Sequence, residues 1–359
     1  MSSGRITLDQ LEAIAAGASL LGSGGGGDPY VGRLLAEEAI RRHGPVELVS
    51  IDELSDGAAV FPVAMMGAPT VMVEKLPATS QLSAAVHALS RYMDRDVEYI
   101  ACAEVGGVNS MIPIATAAEL GVPLIDGDGM GRAFPELQMI LPTLIGAGAT
   151  PMSIADEKGN KGIFETITNK WAELLARDVT VEMGSSAIVS LYPLTGAQTK
   201  AGFVSGSLSL CARLGSAGEY ARTEHRDPVD AIIATLGGVR LFDGKVADVE
   251  RRTQTGFARG TASIVPEGAR RKHLRILFQN ENLLAEIDGR TLAATPDLII
   301  VIDADTGAAV TTEGLRYGQR VAVIAAPADP RWYTPAGLEL VGPAYFGYDA
   351  QPVFGAESR

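Results

Sequence analysis

Cysteine, histidine and tryptophan are scarce in this chain, at two, four and two residues in 359. Cys102 and Cys211 lie far apart, so neither a disulfide framework nor a cysteine-built metal site can be drawn, which suits a reducing compartment. Cys102 falls inside an apolar stretch and reads as a buried, inert thiol. The histidines, His43, His87, His225 and His273, form no ligand spacing and read as surface or packing residues; His225, in a loop before Pro228, is the one worth testing. Basic residues are outnumbered, 30 against 43 acidic, and a net charge of −13 draws neither nucleic acid nor an anionic membrane. Long apolar runs are missing as well. The longest, Met139 to Ala155, is broken by Pro142 and Pro151, and the start of the chain, with Asp9 and Glu12, lacks the basic and apolar blocks of a secretory signal. A cytoplasmic protein is therefore expected. No Gly-x-Ser-x-Gly elbow is present, nor a serine recognisably matched to histidine and aspartate.

Apolar residues make up 47% of the chain, and its length exceeds one ordinary core, so two globular domains are expected. Residues 1–170 read as an α/β domain with a mostly parallel sheet. Val46 to Ile51, Ala58 to Met66, Val97 to Ala103 and Val122 to Ile125 are its short apolar strands, with helices over Ser80 to Met93 and Ser110 to Leu120. Residues 171–236 read as a helical connector, and a helix is expected over Gly162 to Arg177. Short strands split by Asp243-Gly244, Asp288-Gly289 and Asp305-Thr306-Gly307 make 237–330 a β-rich unit. The aromatic stretch 331–359 reads as an arm docked on the body or on a neighbouring subunit.

Between two predicted helices, Leu8 to Leu21 and Tyr30 to Arg42, runs Gly22-Ser23-Gly24-Gly25-Gly26-Gly27-Asp28-Pro29. Asp28 suits an N-cap and Pro29 the first helical turn, which leaves the glycine N–H groups free near a helix start, a place that favours a small anion. The Lys-Ser/Thr of a P-loop is absent, so no nucleotide is expected. The plainer alternative is a tight helix-to-helix crossing that needs bare backbone.

Ligands of open α/β sheets sit beyond the carboxyl ends of the strands, where two clusters fall. One is Glu104, followed by Gly106-Gly107 and Asn109, a plausible orienting amide. The other is Asp126-Gly127-Asp128-Gly129-Met130-Gly131-Arg132, where a glycine between two carboxylates lets both converge on a divalent cation or on a water, and Arg132 can neutralise one. An Asx-type turn closing a strand is the competing account of the pair. Asn280 and Asn282 fit either a pocket wall or a polar strand edge. Candidate catalytic residues are thus Asp126, Asp128, Glu104 and Arg132, with Asp126 and Asp128 as metal ligands; Gly24, Gly25, Gly26, Gly27, Asp28 and Asn109 are candidates for substrate binding.

Three stretches, Leu21 to Tyr30, Asp126 to Glu136 and the terminal Val341-Gly342-Pro343-Ala344-Tyr345-Phe346-Gly347-Tyr348-Asp349, are similar to the signatures of the S-methyl thiohydantoin desulfurase-like family. The resemblance implies an N-terminal α/β domain and a C-terminal β-rich one. It also implies an association with hydantoinase or oxoprolinase subunits, and removal of sulfur from a thiohydantoin ring, with a divalent metal implicated. The resulting expectation is a hydrolase acting on a small cyclic amide or thioamide, assembled as a homo-oligomer. Its rivals are a non-catalytic partner subunit of a hydantoinase-like enzyme and a small-molecule binding protein.

Overall fold

The computed structural model describes residues 4–67, 79–254, 256–268 and 273–354. The chain opens with β1 (Gly4–Ile6), α1 (Leu11–Leu21) and α2 (Pro29–His43). Then follow β2 (Val46–Ser50), β3 (Ala59–Gly67), α3 (Thr79–Met93), β4 (Tyr99–Cys102), α4 (Gly107–Leu120) and β5 (Leu124–Asp128). β2, β5, β4 and β3 lie side by side in parallel, with α3 and α4 as crossover helices. Buried parallel strands read as unbroken apolar runs, and Ile100, Ala101 and Cys102 are fully enclosed.

The sheet is mixed, which corrects the expectation of a mostly parallel one. Beyond α5 (Leu141–Leu144) come β6 (Met152–Ala155), β7 (Lys161–Phe164), α6 (Asn169–Glu182), β8 (Ser186–Ser190), β9 (Leu194–Thr195), α7 (Gly196–Gly202) and β10 (Val204–Ser205). β8 joins β3 antiparallel, β6 and β7 extend that edge, and β1 closes the other edge against β2. The stretch read as a connector therefore supplies strands to the first sheet. The helix expected from Gly162 starts later, because Lys161–Phe164 pairs with β6 and Thr168 caps α6, its Oγ1 accepting from Trp171 N at 3.3 Å.

α8 (Ser207–Thr223) and α9 (Pro228–Leu236) lead into β11 (Val239–Gln254), β12 (Phe257–Val265), β13 (Leu274–Gln279), β14 (Glu281–Ile287), β15 (Arg290–Ala294), β16 (Leu298–Asp303) and β17 (Arg320–Ala326). These form one antiparallel sheet in the order β15-β14-β13-β12-β11-β17-β16. Asp243-Gly244 does not turn: it lies inside β11, held extended by pairing with Ala322 and Val321. Alternation along β16 and β17 splits the second sheet between two cores. Ile299, Val301, Val321 and Val323 fill its own interior, whereas Leu298, Ile300, Ile302 and Ile324 pack with Leu21 of α1, Leu214 of α8 and Val229 of α9. The tail returns through α10 (Pro335–Val341) to the first sheet. Trp332 is fully buried there, donating Nε1–H to Met130 O at 2.8 Å and meeting Phe134 edge-on. Among the described residues no helix is long and apolar enough to cross a membrane.

Candidate active site

The glycine loop lies where the two sheets meet. Gly24, Gly26 and Gly27 have φ of 92°, 75° and 71°, which side chains rarely tolerate. Space is just as restrictive: a methyl group on Gly25 would lie 1.9 Å from Glu281 Oε1, and one on Gly26 2.7 Å from Gly106 Cα. Bare backbone is required because a second glycine pair at the start of α4 and an acidic side chain from β14 press on the loop from either side. Three of its carbonyls are engaged across those contacts. Ser23 O accepts from Asn282 N at 2.8 Å, Gly24 O from Thr312 N at 2.8 Å, and Gly26 O from Val108 N at 2.9 Å. Among the described residues, the N–H groups of Gly26 and Gly27 reach no protein acceptor, and both residues line a cleft of about 90 Å³. The tight crossing posed for this loop is present, and it leaves the Gly26 and Gly27 N–H groups facing no protein acceptor among the described residues. Asp28 caps α2, its Oδ1 accepting from Tyr30 N at 2.9 Å, outside the cleft lining.

Glu104 and Asn109 line the same cleft. Asn109 is fixed by the backbone of β3, its Oδ1 accepting from Met65 N at 2.7 Å and its Nδ2 donating to Met65 O at 3.3 Å. The same Nδ2 donates to Glu104 Oε1, so the amide holds the carboxylate in one orientation. Burial pushes the Glu104 carboxyl up to about 7, with the negative charge of Asp128 adding to the shift and the Asn109 amide opposing it. Facing it from the second domain is Glu281. Burial, and after it the charge of Glu104, raise its carboxyl well above the ordinary carboxylate range, against the pull of Arg132. Glu281 Oε2 is buried with no hydrogen-bond partner among the described residues. Both carboxyls thus hold their protons more tightly than an exposed glutamate does, Glu104 up to about 7 and Glu281 well above the ordinary range.

The Asp126–Arg132 motif does different work. Asp128 is fully buried. Its Oδ2 accepts from the peptide N–H groups of Val105, Met130 and Gly131 at 3.1, 2.9 and 2.8 Å, and its Oδ1 from Ser207 Oγ. Asp126 accepts from Ser209 N at 3.0 Å and from Ser209 Oγ, at the first turn of α8. Two residues apart on one strand, both carboxylates share a face turned to α8, and neither lines the cleft. Their oxygens face hydrogen-bond donors, which does not fit a metal-ligand pair. Among the described residues no group of three or more His, Cys, Asp or Glu side chains is placed to hold a metal ion. Arg132 is fully buried and cleft-free. It donates to the carbonyls of Ala133 (3.1 Å), Pro296 (3.1 Å), Asp297 (2.5 Å) and Asn282 (3.2 Å), a clamp between the domains. Asp128→Asn should therefore cost about 1–3 kcal/mol through weaker bonds to three buried N–H groups. Thermal unfolding would show the loss, while turnover per folded molecule stays within about tenfold.

Of the remaining candidates, Asn280 lines the cleft from the β13–β14 turn, with its Oδ1 accepting from Ala258 N at 2.9 Å. Asn282 bonds Ile299 O through Nδ2. His225 is exposed between α8 and α9, and both cysteines are buried. Sequence reasoning missed Glu281 and Arg177, which also line the cleft. A signal for Glu281 existed: an acidic residue between two asparagines, in the short break separating the apolar runs Leu274 to Phe278 and Leu283 to Ile287.

Comparison with known proteins follows the same two-part layout. A solved structure of a protein from Chromobacterium violaceum superposes with a TM-score of 0.82 at 24% identity, covering 98% of this chain and 99% of that one, which shows a shared fold. A search of curated proteins finds no match. The family described as S-Me-THD-like matches in both its parts, the N-terminal domain over residues 9–166 and the C-terminal domain over 167–353. With nearly the whole chain matched in this way, the protein belongs to the S-Me-THD-like family.

Proposed function

We propose that this protein hydrolyses a thiohydantoin or a related five-membered cyclic thioamide, replacing ring sulfur by oxygen. The observation that carries the reading is the pair of carboxyls, half-buried Glu104 from the first domain and buried Glu281 from the second, beside two free peptide N–H groups. The family description points to a thiohydantoin-related role. In this reading Glu104 takes one proton from water as the water oxygen bonds to the ring carbon bearing sulfur, and the C=S electron pair moves onto sulfur. The Gly26 and Gly27 N–H groups hold the developing negative charge. The added hydroxyl then gives up its proton, the C=O bond forms and the C–S bond breaks. Sulfur leaves as hydrogen sulfide, one proton reaching it from Glu104 and one from Glu281, which is reprotonated by the hydroxyl. An S-methyl ring would release methanethiol instead.

The test is product release from 2-thiohydantoin-5-propanoate, its S-methyl derivative and hydantoin-5-propanoate. Sulfide from the first or methanethiol from the second, with hydantoin formed in step, is the expected result. Silence on all three overturns the reading in favour of a non-catalytic partner subunit of a hydantoinase-like enzyme.

A further inference from the structure

We infer that Arg177 sets the specificity of the cleft by holding an anionic group on the ligand, an inference that rests on the hydrolase reading above. Among the described side chains lining the cleft, Arg177 is the one cation; Met65, Met66 and Phe134 give it apolar walls, and Glu104 and Glu281 are its carboxyls. The guanidinium is pinned on three sides. Nε donates to Glu173 Oε1, Nη2 to Pro135 O at 3.4 Å, and the plane sits 4.2 Å over the ring of Phe257. Glu173 is itself almost fully buried and also accepts from Leu137 N at 3.0 Å, so both partners of the ion pair are immobile.

Nη1 is left over. Among the described residues it donates to no protein acceptor, and Arg177 keeps 15% of its side chain exposed. A planar donor edge held in place before the ligand arrives recognises a carboxylate at little entropic cost. The net charge of the chain, −13, makes the point stronger: an anionic ligand approaches against the overall field, so a local cation has to offset it. The molecule handled here therefore carries an acidic arm beside its ring, with the arm at Arg177 and the ring toward Glu104.

The experiment compares 2-thiohydantoin-5-propanoate with its propanamide, equal in shape and lacking the charge, on the wild type, R177Q and R177K. The wild type should prefer the acid in kcat/KM by roughly 10- to 100-fold, the range for a hydrogen bond to a charged group. R177Q should lose that preference through KM, with turnover of the amide within about threefold of wild type. R177K, which retains the cation beside Glu173, should recover part of it. A preference unchanged in R177Q overturns the inference. Should the wild type turn over neither compound, the hydrolase reading fails, and thermal shift with hydantoin-5-propanoate then decides the inference by itself. Stabilisation of the wild type but not of R177Q by the acid, with none by its amide, supports it; equal shifts in both proteins end it.

Discussion

Glu104→Gln should lower kcat by about 10³-fold, within the range for loss of a general base, while the chain stays folded. Glutamine keeps an oxygen for the Asn109 amide, so the local geometry survives and the proton acceptor is lost. In the wild type kcat/KM should rise with pH through about 7, the range to which burial moves this carboxyl, and level off above it. Stability moves the opposite way. The folded-state value of about 7 lies above the ordinary 4.5, so the stabilisation tied to the protonated form is complete below about 4.5 and is lost as pH rises through 7. That loss is about 3 kcal/mol, taken from the size of the shift. The glutamine variant does not ionise and should match or exceed the wild type in melting temperature at pH 8. Higher stability with lost turnover is a pattern that a merely structural carboxylate would not give. Retained turnover, or a pH profile without the limb near 7, would remove Glu104 from the mechanism.

Arg132→Met should be the most destabilising single change described here, by about 4 kcal/mol or more. Four backbone carbonyls converge on this guanidinium, three of them in the second domain. Methionine fills the volume and leaves those carbonyls buried without donors, at about 1–3 kcal/mol each. Removing the cation also leaves the charge of Asp297 and any charge on Glu281 without compensation. Burial lowers the Arg132 pKa to about 10, still high enough to keep it charged at neutral pH. Chemical denaturation followed by tryptophan fluorescence checks the outcome, and Trp332, seated against Phe134 near the clamp, is a suitable reporter. A loss below about 1 kcal/mol would mean that the carbonyls find other donors.

The parallel strands of the first sheet and β13, β14, β16 and β17 of the second were legible from the chain because they are short apolar runs bounded by turn residues, whereas the antiparallel strands that 152–205 adds to the first sheet were not; the glycine loop and Glu104-Asn109 stood out from their local sequence. What local pattern could not show was the partner of each polar group. Asp126 and Asp128 look like a convergent carboxylate pair until Ser207 and Ser209 arrive from a distant helix to occupy them. Arg132 sits beside them in sequence and reaches strands of the other domain in space. Arg177 is one charged residue on an amphipathic helix, and nothing along the chain separates it from a solvated surface cation. Asp243-Gly244 carries turn chemistry, yet pairing with β17 holds it straight.

The interlock between the glycine loop and β14 also bears on how the protein comes to be made. A chain synthesised from its N-terminus releases the loop and Glu104 from the ribosome well before Glu281, Asn282 and Thr312, the residues that press on the loop and bond its carbonyls. Until those arrive, Ser23 O and Gly24 O lack the N–H groups that hold them, and the cleft lacks the wall that Asn280 and Glu281 supply. The cleft is thus completed at the end of synthesis, and a nascent or truncated chain holds the first-domain residues without their enclosure.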